Sequence, residues 1–261
     1  MSMLSDCETL LTSYRGDVLR VTLNRPKQAN AMNLKMVSEL MEVMDFIHEH
    51  KVRVLILTGA EGNFCAGGDI KDMHDIANDC DALIQLNRAF GLMIEKADQL
   101  PCVVITVLQG AVLGGGFGLA CISDLAITDH SARFAMPETS LGIIPAQIAP
   151  FVVARIGLTA ARRLALLGLR IKAEEALSLG LVHQLATSEE DLQYQLEQSV
   201  NSALRCAPQA TAMTKALLHQ VGSTTMEALL NQAAMDFANS ALGEGREGMA
   251  AFAQKRKPHW Q

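Results

Sequence analysis

The chain has 261 residues, of which 49% are hydrophobic and 19% are charged. This length and composition allow one large domain with a sizeable core and exclude a disordered chain. The 22 Lys and Arg oppose 28 Asp and Glu, for a formal net charge of −6, which argues against a nucleic-acid-binding protein. Apolar runs such as Val103–Leu108 are too short to span a bilayer, so we do not expect a membrane protein.

Cysteine and histidine usage indicates a reducing, metal-free environment. No two cysteines form a Cys-x-x-Cys pair, and no His-x-x-x-His or mixed His/Cys cluster is present. The first eight residues have neither the basic nor the apolar stretch of a secretory signal. The sequence therefore predicts reduced thiols and a cytoplasmic location.

The first third of the chain predicts a hairpin, a helix and a strand. Thr9–Tyr14 and Val18–Leu23 are typical of strands around a short turn. Asn33 is placed to cap a helix whose apolar residues recur on one face as far as Ile47. Val52–Thr58 is a short apolar strand that leads into a glycine-rich loop.

The rest of the chain alternates helices and strands up to about residue 184 and is helical beyond it. The expected elements are helices over 81–97, 159–168 and 173–179 and strands over 103–107, 125–128 and 132–135. From Asp191 the pattern is helical, with breaks at Pro208, Gly222 and 243–245. This order predicts an α/β core, residues 1–196, followed by a helical region, residues 197–261.

Two segments, 64–71 and 113–118, contain more glycine than packing requires. Neither matches a nucleotide-binding motif, because Gly116-Phe117 stands where a P-loop needs Lys and Ser/Thr, and Leu119 stands where a dinucleotide fold needs a small residue. Glycines at a helix N-terminus can turn free backbone N–H groups toward one point and form an oxyanion hole. Ordinary tight loops remain the alternative interpretation of the spacing alone.

Five ordered blocks of the sequence resemble the crotonase, or enoyl-CoA hydratase/isomerase, superfamily, and the resemblance covers nearly the whole chain. The blocks are 23–32 (LNRPKQANAM), 64–73 (FCAGGDIKDM), 110–124, 134–142 with Pro137-Glu138, and 246–257 (REGMAAFAQKRK). The resemblance implies a spiral of ββα units with a C-terminal helical trimerisation region, assembled as a trimer or a dimer of trimers. It also implies an acyl-CoA thioester as substrate, with no cofactor beyond the CoA that the substrate carries.

The resemblance also assigns site residues. The amides of Gly68 and Gly115 would form the oxyanion hole, and Lys27 would lie near the CoA phosphates. The pantetheine path would be lined by Ala66, Gly67, Asp69, Ile70 and Lys71. Phe252 and Lys255 would reach the adenine from a neighbouring subunit.

The acid/base residues depart from the usual pattern of the family. Its hydratases usually carry two glutamates, and here only the second, Glu138, is present, while Gly118 occupies the place of the first. The stretch 145–153 (PAQIAPFVV) also differs and resembles a branch that includes bacterial methylglutaconyl-CoA and isohexenylglutaconyl-CoA hydratases. A glutaconyl group carries a second carboxylate, which a glutamate at 118 would repel, and Gln147 could donate an amide to it.

The expected function is therefore an enoyl-CoA hydratase, a hydro-lyase, acting on a branched or carboxylated substrate with Glu138 as its one acid/base residue. A Δ3,Δ2-enoyl-CoA isomerase is the nearest alternative, because one glutamate suffices for it. A non-catalytic acyl-CoA-binding paralogue is a third.

Overall fold

A computed structural model describes residues 7–261 as two sheets and a set of helices. The sequence predicts no secretory signal in the first eight residues. Residues 1–6 of that stretch lie outside the described residues. The strands are β1 (Leu10–Arg15), β2 (Val18–Leu23), β3 (Val54–Gly59), β4 (Val103–Leu108), β5 (Ala111–Leu113), β6 (Leu125–Asp129), β7 (Arg133–Ala135), β8 (Arg170–Lys172) and β9 (Gln184–Ala186). The helices are α1 (Leu34–His50), α2 (Ile70–Asp75), α3 (Cys80–Asp98), α4 (Gly115–Cys121), α5 (Ala149–Leu167), α6 (Ala173–Ser178), α7 (Glu189–Arg205), α8 (Pro208–Gln220), α9 (Met226–Leu242) and α10 (Glu244–Ala253).

The larger sheet has the strand order β1-β2-β3-β4-β6-β9, and only the β1–β2 pair is antiparallel. The smaller sheet has the order β5-β7-β8. The chain passes from a strand of the large sheet to a short strand of the small one and then to a helix, as in β4-β5-α4. This repeat confirms the expected ββα order.

Both faces of the large sheet are covered, which explains why its parallel strands are apolar at successive positions. On β3, Leu55 and Leu57 belong to the main core with α1 and α3. Val54 and Ile56 point the other way and pack with Leu192 and other residues of α7 in a second, smaller core. The expected boundary after residue 196 falls inside α7, whose two halves both contact this second core.

The structure confirms most of the expected elements and extends one of them. Asn33 caps α1 by accepting a hydrogen bond from the Met36 N–H at 3.0 Å. The helix expected from Thr159 begins ten residues earlier, at Ala149, and is interrupted at Gly157, where φ is +74°. The strands β8 and β9 were not expected, because three residues carry too little periodicity to be recognised.

The C-terminal helices α8, α9 and α10 differ from the core in burial. Leu229 and Ala251 are the buried side chains among the described residues of these three helices. Large apolar side chains lie exposed there: Leu218, Met226, Leu230, Met235, Phe237, Leu242, Met249 and Phe252. Over the described part of the chain, no helix is long and apolar enough to cross a membrane.

Candidate active site

The two glycine-rich segments lie side by side. Cys65 pairs with Val112 of β5: the Cys65 N–H donates to the Ala111 carbonyl at 2.8 Å, and the Leu113 N–H donates to the Cys65 carbonyl at 2.9 Å. A Cβ on Gly67 would lie 3.3 Å from the Leu113 carbonyl oxygen, so a larger residue would press against the neighbouring segment. The glycines therefore serve a close backbone approach, as the oxyanion-hole interpretation requires.

The local backbone leaves the amides of Gly68 and Gly115 without a hydrogen-bond partner among the described residues. The Gly67 carbonyl accepts from the Met32 N–H at 2.8 Å, and the Asp69 N–H donates to the Met32 carbonyl at 2.8 Å. The Gly68 N–H, between these two groups, therefore lies on the opposite edge of the segment. Gly115 is the first residue of α4, where an N–H has no partner within the helix and the helix dipole is positive.

Glu138 lies beside these glycines, at the start of a short 3-10 helix that ends at Leu141. A Cβ on Gly114 would lie 3.0 Å from the Glu138 Oε1 atom. The other carboxylate oxygen, Oε2, is buried and has no hydrogen-bond partner among the described residues. Burial raises the pKa of this carboxyl above its ordinary value, because the charged form loses water. A half-buried carboxylate with one oxygen left unpaired is suited to moving protons.

Gly68, Gly115 and Glu138 all lie in the wall of a cavity of about 570 Å³. That size is typical of a small-molecule site. The rest of the wall is mainly apolar and comes from α3 and from the loop before α5: Leu83, Ile84, Leu86, Phe90, Ile94, Ile143, Ile144, Pro145, Ala146 and Ile148. Among the described residues that line it, Glu138 is the one carboxylate. The cavity is thus an apolar compartment with a single acid/base group and two free amides.

The first sequence block (23–32) is joined to the second (64–73) by a hydrogen bond and an ion pair next to this site. The Ala66 N–H donates to the Ala29 carbonyl at 3.0 Å, which places the exposed Lys27 turn beside residue 66. Arg25 forms an ion pair with Asp69 at 2.8 Å, and both side chains are largely buried. Burial by itself would raise the pKa of Asp69, but the hydrogen bond and charge of Arg25, together with the Lys71 amide, lower it.

Asp69 also caps α2, by accepting from the Lys71 N–H at 3.1 Å. Because Asp69 directly follows Gly68, the Arg25–Asp69 pair helps to fix the backbone at the Gly68 amide. Ile70 and Lys71 are exposed at the start of α2. Of the residues expected along the pantetheine path, none lies in the wall of the apolar cavity itself.

Gly118 does not line the cavity, contrary to the expectation that it leaves room for the substrate. It is buried in α4, and a Cβ there would lie 2.5 Å from Ile148 Cγ2 and 3.2 Å from Ile94 Cδ1. The space next to Gly118 is therefore filled by two isoleucines. A glutamate at 118 would have to displace them, so the repulsion argument for a carboxylated substrate does not hold as stated.

Gln147 does lie in the cavity wall, as expected, and Phe252 and Lys255 do not. Phe252 is 87% exposed on α10, and Lys255 follows the end of that helix. Within residues 7–261, no cluster of three or more His, Cys, Asp and Glu could hold a metal ion. Cys65, Cys102 and Cys121 are buried, which raises the pKa of each thiol to about 12.

Sequence reasoning missed the contribution of α3, which provides about half of the cavity wall. Its lining residues Asn87 and Arg88 are ordinary members of an amphipathic helix in the sequence. Their place in the site depends on how α3 packs against α4 and the loop before α5. Arg25 was also missed, although it lies in a recognised block. Its partner Asp69 is 44 positions away in the chain, so the sequence does not show the pair.

The ββα order, with Gly68, Gly115 and Glu138 in the wall of one cavity, is the arrangement expected of a crotonase-fold protein. Residues 14–261 match the profile of the family described as enoyl-CoA hydratase/isomerase. The structure is similar to an enoyl-CoA hydratase/isomerase from Marinobacter aquaeolei, with a TM-score of 0.95 and 55% identity over 97% of this chain and 99% of that one. It is equally similar to Pseudomonas aeruginosa AtuE, with a TM-score of 0.95 and 54% identity over the same shares of the two chains.

A curated relative supports the same assignment. The chain is 31% identical to the 2,3-dehydroadipyl-CoA hydratase of Escherichia coli K12 over 255 residues, which cover 97% of this chain and 98% of the relative. The protein belongs to the enoyl-CoA hydratase/isomerase family and is an enzyme of the hydro-lyase type, as the resemblance implied.

Proposed function

We propose that the enzyme adds water across the 2,3 double bond of a branched or carboxylated enoyl-CoA thioester, with no cofactor besides the CoA of the substrate. The observation that carries this proposal is the position of Glu138. Its carboxylate lies in an apolar cavity whose wall also contains the residues of both free amides, Gly68 and Gly115. The site could therefore stabilise a developing enolate and activate an attacking water at the same place.

The two amides would hold the thioester oxygen while negative charge develops on it. Glu138 would accept one proton of the water as its oxygen bonds to C3, and a proton would then be delivered to C2. The product carries a hydroxyl on C3 and a hydrogen on C2, which together account for one added water. Because Glu138 is the one carboxylate among the described lining residues, it would serve both proton transfers.

Two observations support the carboxylated substrate class, and Gly118, which is covered by isoleucines, is not one of them. Residues 145–148 line the cavity, and they belong to the stretch 145–153 that resembles the glutaconyl-CoA hydratase branch. The E. coli relative is named for a dehydroadipyl thioester, whose acyl group is a dicarboxylic one. A methylglutaconyl-type substrate fits both.

A Δ3,Δ2-enoyl-CoA isomerase is favoured as the second candidate by the same lone carboxylate, because moving a double bond needs one base and no second group to orient water. Absorbance of the conjugated enoyl thioester separates the two activities. A hydratase consumes it when given 3-methylglutaconyl-, isohexenylglutaconyl- or crotonyl-CoA, whereas an isomerase produces it from 3-hexenoyl-CoA. Loss of absorbance with the glutaconyl thioesters supports the proposal, and a gain with 3-hexenoyl-CoA alone contradicts it.

We also propose that α8, α9 and α10 form the interface of a trimer or dimer of trimers. Their exposed apolar side chains motivate this, because such a surface is costly in contact with water. Phe237→Glu should lower the mass measured by light scattering, while Glu227→Gln, on the same helix, should not. A wild-type monomer at micromolar concentration would contradict the assembly.

A further inference from the structure

Three polar side chains interrupt the apolar wall of the cavity at one place. They are Asn87 and Arg88 of α3 and Gln147 of the loop before α5. Asn87 and Arg88 are exposed and Gln147 is half-buried, so the group lies on a rim of the cavity that is open to water. Among the described residues of the wall, Arg88 is the one Lys or Arg.

Hydrogen bonds organise the three side chains. The Gln147 Nε2 donates to Asn87 Oδ1 at 2.8 Å, and Arg88 Nη1 donates to Gln147 Oε1 at 3.4 Å. The Asn87 amide accepts through its oxygen, which leaves its NH2 group free to donate to a ligand. Gly91 makes the arrangement possible, because a Cβ there would lie 1.8 Å from Gln147 Oε1.

Arg88 has a competing partner outside the cavity. Its Nη2 donates to Glu95 Oε2 at 3.0 Å, and Glu95 is not part of the cavity wall. The pair is about half exposed, so it is held weakly. The guanidinium therefore already binds a carboxylate in this position, and a carboxylate arriving from the cavity could take the place of Glu95.

The position along α3 suits the far end of an acyl chain. Ile94 packs against Gly118 of α4, the helix that begins with the oxyanion residue Gly115. Arg88 precedes Ile94 by six residues, which corresponds to about 9 Å along the helix. The polar rim is thus separated from the thioester end of the cavity by a stretch of apolar wall.

We infer that Arg88, supported by Asn87 and Gln147, binds a carboxylate at the distal end of the substrate acyl group. The inference rests on the proposed function, because it names the residue that would recognise the carboxylate of the proposed substrate. Arg88 would determine specificity and would take no part in proton transfer.

Binding of two saturated thioesters tests the inference without turnover. Glutaryl-CoA and pentanoyl-CoA share a five-carbon chain and differ in the terminal carboxylate. Calorimetry should show that Arg88→Gln weakens glutaryl-CoA by about tenfold, the value of one charged hydrogen-bonded contact, and leaves pentanoyl-CoA unchanged. Lys96→Gln is the matched control, because it removes a positive charge from the same helix away from the cavity and should change neither affinity.

Glu95→Gln provides a second readout that a merely structural role of Arg88 would not produce. Freed from its competitor, Arg88 should bind glutaryl-CoA more tightly, with no change for pentanoyl-CoA. Equal affinity of the wild type for the two thioesters, or equal losses of both in Arg88→Gln, would overturn the inference. These results are independent of the proposed reaction: a wild type that binds glutaryl-CoA through Arg88 but hydrates no enoyl thioester would refute hydration and leave the carboxylate site standing.

Discussion

The core up to α7 and the C-terminal helices use apolar residues in opposite ways. In the core they are buried on both faces of the large sheet, with Leu55 on one side and Val54 on the other. In α8 to α10 residues as large as Phe237 and Leu242 are exposed. The core is therefore complete within one chain, whereas the C-terminal region has an apolar surface that a single chain does not cover. The proposed active site and the proposed interface therefore lie in separate stretches of the sequence.

The largest effect on stability is expected where the two regions are joined. Arg53 precedes β3, and its guanidinium donates to the carbonyls of Leu204, Cys206 and Trp260 at 2.7–2.8 Å. Arg53→Ala would leave these carbonyls without that charged donor and should lower the free energy of unfolding by about 3 kcal/mol. Thermal unfolding should show a melting temperature lower by roughly 6–12 °C.

Arg15→Ala is the control for that experiment, because Arg15 is an exposed arginine on the β1–β2 hairpin. It should leave the melting temperature unchanged. Equal stability of Arg53→Ala and Arg15→Ala would mean that the C-terminal segment does not depend on this connection.

Arg25→Gln should damage catalysis within the core without affecting the tail. It removes the partner of the buried Asp69 carboxylate beside Gly68, whose amide we propose for the oxyanion hole. A small displacement of that amide should reduce kcat about 10- to 100-fold, with little change in CoA affinity. Adding Asp69→Asn should restore part of the loss, because the unpaired charge is removed and Asn still caps α2. No recovery in the double variant would show that the pair does not act as a unit.

The effects of single lysine substitutions on CoA affinity compare the core with the C-terminal helices directly. Lys27→Ala should weaken CoA binding up to about fivefold, and more at low salt, as expected for one exposed cation near a phosphate. Lys255→Ala should have a similar effect in the assembled enzyme but none in the dissociated Phe237→Glu variant, if the tail acts on a neighbouring subunit. Lys172→Ala, at an exposed lysine of β8, serves as the control. An effect of Lys255→Ala that persists after dissociation would refute the contribution of a neighbour.

The smallest effect concerns the pH dependence of stability at Glu138. Because burial raises the pKa of this carboxyl in the folded state, the folded protein favours the protonated form, and stability decreases as the pH rises through that pKa. Glu138→Gln carries no charge, so it should melt up to about 3 °C higher than the wild type at neutral pH. The difference should vanish at acidic pH, and an advantage that persists there would have another cause.

How much the sequence could predict differs between these features. Periodicity located most helices. The blocks around Gly68, Gly115 and Glu138 predicted residues that the structure brings into one cavity wall, because each block is a short continuous stretch of the chain. The covering of Gly118 by Ile148 and the placing of Gln147 against Gly91 could not be predicted. Both depend on how α3, α4 and the loop before α5 pack, and a sequence pattern does not contain the distance between side chains from different elements.

We propose that Glu138 is the sole acid/base residue of a hydration reaction. The most direct test measures kcat for 3-methylglutaconyl-CoA in Glu138→Gln, together with the affinity for a saturated acyl-CoA in the same preparation. We expect a loss of about 10²–10⁴ in kcat with the affinity retained, because the substitution removes the titratable group and keeps its shape. Hydration at the wild-type rate in this variant would contradict the claim and move the proton transfer to another group.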